Sequence, residues 1–114
     1  SNAPKEPSTQ KKTEPKKVTL IYRNQKFVSP ADVHLKEGDT ITFIASTDLE
    51  DPTMVITLDK EFFQPTTFKN SDPPVKVIKD IKKGGRSQYK CHFSGTLNGQ
   101  PGNYNGHGGG FVVP

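Results

Sequence analysis

The sequence holds a single cysteine, Cys91, so no disulfide can form within the chain. In an exported protein such a lone thiol is expected to be buried, ligated or paired with another molecule. No run approaches the roughly 20 consecutive apolar residues that span a bilayer. Nor does any segment sustain apolar residues at i, i+3, i+4 and i+7 over the length of an ordinary helix. There is no CxxC, no Ser/His/Asp arrangement in a recognisable context, and no glycine loop that follows a strand and opens a helix. The Gly108-Gly109-Gly110 run leads instead into the apolar Phe111-Val112-Val113. These absences speak against an enzyme and against a helical fold.

The 114 residues suffice for one domain and are too few for two. Ser1-Asn2-Ala3 reads as a cleavage scar, and residues 4–17 contain no apolar residue other than proline. Such a stretch cannot bury enough surface to offset the entropy of ordering it, so residues 1–17 are expected to form a flexible leader. The leader carries +3 of the total charge of +4, leaving residues 18–114 with 11 basic and 10 acidic side chains. A domain so close to neutrality lacks the clustered basic face that nucleic acid requires. Scattered aromatics on a near-neutral domain also argue against an oligonucleotide-binding barrel. A Lys/Pro/Ser/Thr-rich leader suits a secreted or lipid-anchored protein held off a Gram-positive membrane, with the export signal or anchor removed. An ordinary linker would look the same.

What is present reads as strands. Val18-Thr19-Leu20-Ile21-Tyr22-Arg23 is rich in β-formers, and Val33-His34-Leu35-Lys36 alternates before a Glu37-Gly38-Asp39 turn. Thr40-Ile41-Thr42-Phe43-Ile44-Ala45-Ser46 alternates again, with Ile41 and Phe43 on one face. Further strands are expected at residues 54–58, 75–81, 87–93 and 111–113, with Tyr89 and Cys91 sharing a face. Residues 60–63 could form one helical turn, residues 64–74 a proline-rich loop, and residues 95–110 a glycine- and asparagine-rich loop. Phe62, Phe63 and Phe68 are expected to cap one end of the core. The pattern predicts an all-β sandwich or small barrel.

Three segments together resemble the cupredoxin (blue-copper) family. Phe27-Val28-Ser29-Pro30 with residues 33–43 is similar to the family's opening pair of strands around a Gly-Asp turn. Asp51-Pro52-Thr53-Met54-Val55-Ile56 stands where the family has its first ligand loop. Gly85-Arg86-Ser87-Gln88-Tyr89-Lys90-Cys91, and then Gly106-His107-Gly108-Gly109-Gly110-Phe111, resemble its ligand-bearing strand and loop. The resemblance covers residues 18–114 and implies a Greek-key β-sandwich of about seven short strands.

It also implies a metal site, but an altered one. A blue-copper centre uses two imidazoles and a thiolate with a weak axial thioether. The thiolate position is kept by Cys91, whereas Thr53 stands at the first histidine position and Ser94, Gly95 and Thr96 where the second is expected. His107 falls on the axial-methionine position. The implied donors are therefore Cys91 and His107, with Met54 or His92 as further candidates, for copper or, with water, zinc. A monomer handling copper in binding, delivery or electron transfer, with a redox or copper-delivery protein as partner, would follow.

Each residue also has a plainer reading. Cys91 would serve as a small core hydrophobe, Met54 as core, His107 as a loop residue and His34 as an outward strand residue. His92 is adjacent to Cys91 on a strand, so the two should point to opposite faces. Asp48, Glu50 and Asp51 form a solvated loop rather than a calcium loop. The alternative function is a metal-free cupredoxin-like module for adhesion or assembly.

Overall fold

Val18, Leu20 and Tyr22 are buried at every second position of β1 (Lys16–Arg23), and Ile41 and Phe43 alternate in the same way on β4 (Thr40–Thr47). This period of two fixes which face of each strand joins the core. The computed structural model describes residues 14–112, without the side chains of residues 107–109. Within that span the chain forms strands and turns and no helix.

The remaining strands are β2 (Lys26–Val28), β3 (Val33–His34), β5 (Glu50–Thr57), β6 (Phe63–Gln64), β7 (Thr67–Lys69), β8 (Val75–Val77), β9 (Ser87–Leu97) and β10 (Gln100–Val112). They build two five-stranded sheets, ordered β2-β1-β4-β8-β6 and β3-β10-β9-β5-β7. Both sheets are mixed, with β1 parallel to β4 and β3 parallel to β10. Between them lies one aromatic-rich layer. Phe43 of the first sheet meets Phe68 and Tyr89 of the second at centroid distances of 5.3 Å each, and Phe63 meets Phe111 at 5.0 Å. Offset and edge-on pairs of this kind add about 0.5–1.5 kcal/mol each to the area they bury.

The all-β sandwich expected from the sequence is therefore present, with ten strands among the described residues where about seven were anticipated. The three that were not anticipated, β2, β6 and β7, are two or three residues long and carry too little pattern to stand out. The larger correction concerns residues 95–110. Instead of a loop, β9 and β10 form one long antiparallel hairpin, paired from Leu97↔Gln100 to Ser87↔Phe111 with a bulge between His107 and Gly110. The hairpin closes on Asn98 and Gly99, both at positive φ (53° and 78°), the two-residue turn whose twist matches that of the strands. Residues 1–13 of the expected leader lie outside the described residues, and its last two, Lys16 and Lys17, belong to β1, where they pair with Ile41 and Thr42. The strand expected at residues 75–81 stops at Val77. Residues 60–62 form a turn in which Phe62 and Phe63 both donate to the Asp59 carbonyl. Phe63 and Phe68 are core residues, and the half-buried Phe62 packs against that core.

Candidate functional site

The donors expected at a metal centre sit on neighbouring strands of the second sheet. On β9, Tyr89, Cys91 and Phe93 face the core, and on β5, Met54 and Ile56 do so. Cys91 lies opposite Ile56, and Met54 opposite Phe93, so Cys91 and Met54 are diagonal neighbours in one buried layer. On its other side Cys91 faces Gly106 of β10. Phe27 occupies the space a side chain there would need, its ring atoms lying 3.0 Å from an ideal Cβ at Gly106. The thiol is thus enclosed by hydrocarbon, and burial pushes its pKa up to about 12.

His92 is on the other side of the sheet. Its strand neighbours are Val55 and Asn105, and its Nδ1 stands 2.7 Å from the Asn105 amide oxygen. Because that oxygen only accepts, Nδ1 is the donor of this bond. A shallow depression of about 320 Å³ lies here, bordered by Val55, Thr57, Lys90, His92 and Asn105, with Cys91 and Gly106 of the same strands at its floor. As the spacing predicts, Cys91 and His92 face opposite ways.

The backbone of His107 pairs with Lys90, one position beyond the Gly106↔Cys91 pair and next to the bulge. Its imidazole lies outside the described residues. Thr53, at the family's first histidine position, is half-buried opposite Ser94 on β9. Ser94, Gly95 and Thr96, where a second histidine would follow the cysteine, continue the strand. Among the described residues no three His, Cys, Asp or Glu side chains come together in a way that could hold a metal ion. The described donors do not fit a Cys/His centre that includes His92. The thiol and the thioether share the buried face of the sheet, and the sheet separates them from this imidazole. His34, expected to point outward, is exposed.

Three other features escaped sequence reasoning. Tyr22 and Tyr104 pack as a tilted pair with centroids 4.2 Å apart at the end of the sandwich that carries the β1–β2 and β9–β10 turns. Burial first, then Tyr104 and the Asp48 carboxylate, raise the Tyr22 hydroxyl to a pKa of about 12. Asp48 itself accepts from the Asn24 amide at 3.0 Å, so the expected solvated loop is tied to the neighbouring turn. At the opposite end, one oxygen of Asp32 accepts both from the Gly110 amide, at 2.7 Å, and from Arg86, at 2.9 Å.

The third feature is a cleft of about 460 Å³ between the sheets, bordered by Phe43, Ile44 and Ala45 on one side and Pro52, Met54 and Asp72 on the other. Its cause is local. The β4–β8 pairing ends at Ile41↔Val75, because Pro73 and Pro74 precede β8 and have no N–H with which to extend the ladder. The Pro73-Pro74 pair was the available signal in the sequence. When compared with known proteins, the chain matches no family model, no curated protein and no solved structure.

Proposed function

We propose that this β-sandwich is a binding and assembly module of the cupredoxin-like kind that works without a metal and without catalysing a reaction. The observation that carries this reading is the position of Cys91. A thiol held protonated in a hydrocarbon layer is a poor nucleophile and a poor ligand, since both roles need the thiolate. With His92 turned to the outer face and held by Asn105, no thiol–imidazole pair suited to acyl transfer forms among the described residues either. What the domain offers instead is surface, in the form of a polar strand face and an open cleft between sheets.

The test is thermal unfolding of the protein, stripped with chelator and then supplied with copper(I), copper(II) or zinc. A ligand that binds only the folded state raises the midpoint as its concentration exceeds its dissociation constant. The module reading expects no rise with any of the three. A rise with one metal that Cys91→Ser abolishes would overturn it.

One observation favours the copper reading, the shared buried layer of Cys91 and Met54. Thiolate and thioether are soft donors that suit copper(I). On this reading binding requires the Cys91 proton to leave, so uptake rises steeply with pH, and both Cys91→Ser and Met54→Leu weaken it. An extracytoplasmic location is part of both readings and is tested by fractionating cells that express the native gene.

A further inference from the structure

Among the described residues, the β4 backbone bordering the cleft has no strand partner on that side beyond Ile41, and the register shows which groups face it. Val77 donates to the Asp39 carbonyl at 2.9 Å, so the β4–β8 ladder bonds through Asp39 and, two residues on, through Ile41 opposite Val75. Residues of a strand alternate the side to which their N–H and C=O point. The next groups aimed away from β1 therefore belong to Phe43 and Ala45, while the intervening residues bond to β1. Continued past Val75, the antiparallel register would bring Pro73 opposite Phe43 and Ser71 opposite Ala45. The ladder has ended before them, and both Phe43 and Ala45 border the cleft. Among the described residues, neither takes part in a backbone bond outside the strand ladders.

We propose that this edge is an acceptor for one added β-strand, supplied by an extended segment of a partner protein with apolar residues at alternate positions and Lys or Arg at its ends. The proposal rests on the module reading and names its partner. Two residues in succession that offer both a donor and an acceptor, one strand repeat apart, are matched by a polypeptide backbone. Residues placed opposite Phe43 and Ala45 share their inward face, toward Phe43 and Met54, so they should be apolar. The chain flanking the cleft carries Glu50 and Asp51 beside Pro52, and Asp72, against Lys69, which favours cationic ends. Residues Asn70, Ser71 and Asp72 stand along the opening. A recessed edge of this kind receives a free peptide more readily than the edge of a second folded copy.

The experiment uses the full chain, isotope-labelled, titrated with the capped pentapeptide Lys-Val-Thr-Val-Lys. Two control peptides are the same sequence N-methylated at both valines, and Glu-Val-Thr-Val-Glu. The expected result is saturable change at the Phe43 and Ala45 amides with slowed hydrogen exchange there. N-methylation should weaken binding about tenfold or more, the equivalent of one or two lost hydrogen bonds. The acidic peptide should bind more weakly. Ala45→Pro removes the donor facing the cleft and leaves the β1 ladder intact, as proline is tolerated where an edge N–H faces outward; this variant should fold and lose binding. The N-methylated peptide provides the same test on unaltered protein should the variant fail to fold. No saturation up to about 5 mM, well above the dissociation constants of weak complexes, would overturn the proposal. Equal binding of the N-methylated peptide would do so too, as would a concentration-dependent dimer that protects the same amides. A metal-induced thermal shift in the same preparation would sink the module reading alone and leave the strand acceptor standing.

Discussion

His92 Nδ1 and Asn105 Oδ1 stand 2.7 Å apart across the β9–β10 pair, on the side of the sheet away from the Cys91 sulfur. One step along a strand thus divides the chain's adjacent thiol and imidazole between an apolar interior and a polar surface. The separation follows from the two-residue period of a strand, and only a bulge at Cys91 or His92 would undo it. The bulge that β10 does contain lies further along, between His107 and Gly110.

Cys91 should therefore behave as a core residue. In native protein at pH 8 its reaction with a disulfide reagent should be limited by opening of the structure, and slower than in urea by several orders of magnitude. Cys91→Ala should lower stability by about 1 kcal/mol, and Cys91→Ser by about 1–3 kcal/mol, since a hydroxyl in that hydrocarbon layer loses its hydrogen bonds to water. Urea unfolding of the three proteins checks the order. A serine variant as stable as the alanine variant would show that the site is wetter than its packing implies.

Alkaline lability should have two sources. Cys91 and Tyr22 have ordinary pKa values of 9.0 and 10.0, and burial raises both to about 12 in the folded protein. The unfolded chain loses these protons first, so unfolding releases protons and stability falls as pH rises, from about 9 towards 12. Below pH 9 neither group contributes a slope. Urea midpoints between pH 8 and 11 should decline in the native sequence. They should decline less in Cys91→Ala and in Tyr22→Phe, with the tyrosine's share appearing about one unit later. A Tyr22→Phe profile superimposable on the native one would mean that the hydroxyl is already solvated.

The sequence makes the sandwich legible where side chains alternate. On β4, Ile41 and Phe43 are recognisable as core, and on β9 Tyr89 and Cys91 share a face as their spacing requires. Legibility fails where pairing is carried by backbone alone. Pro101, Gly102, Asn103, Asn105 and Gly106 have the composition of a loop, yet they form half of the longest hairpin because β9 supplies their partners. The candidate site divides in the same manner. The opposite orientations of Cys91 and His92 follow from adjacency, and the diagonal between Cys91 and Met54 depends on a β5–β9 register that no local pattern encodes. The cleft is a product of topology, created where β8 leaves β4 early, and only the Pro73-Pro74 pair marks it in the sequence.

Acid should act through Asp32. The Gly110 amide, and with it the Arg86 guanidinium, holds this carboxyl below its ordinary value of 3.8. In the unfolded chain those partners are lost and the carboxyl binds its proton more readily. The contribution is therefore present above about pH 4 and disappears as pH falls through the lowered value. Asp32→Asn should flatten the acid limb of the stability profile between pH 5 and 2. It should also speed hydrogen exchange at the Gly110 amide, where β10 runs beside β3. The pair is exposed to solvent, so salt should shrink the difference. An acid limb unchanged by the substitution would place its origin in other carboxylates.

Gly95 should tolerate substitution poorly. A Cβ there would stand 2.9 Å from Leu49 Cβ and 3.0 Å from the Glu50 carbonyl oxygen. Glu50 opens the stretch where the β5–β9 register shifts before Thr53, and that bulge carries β5 across the glycine. Backbone pressed against backbone cannot move aside as a side-chain tip can. Gly95→Ala should therefore cost about 1–3 kcal/mol, the range for overpacking a filled space. At Gly99 a Cβ meets nothing within 4 Å, and the alanine cost comes from its positive φ of 78°, on the order of 1 kcal/mol. Urea midpoints of the two variants separate steric from conformational causes. Restoring space with Leu49→Ala should recover part of the Gly95→Ala loss and none of the Gly99→Ala loss, because Leu49 touches only the first. Strict additivity in both double variants would mean that Gly95 is kept for its backbone freedom and not for the room it leaves.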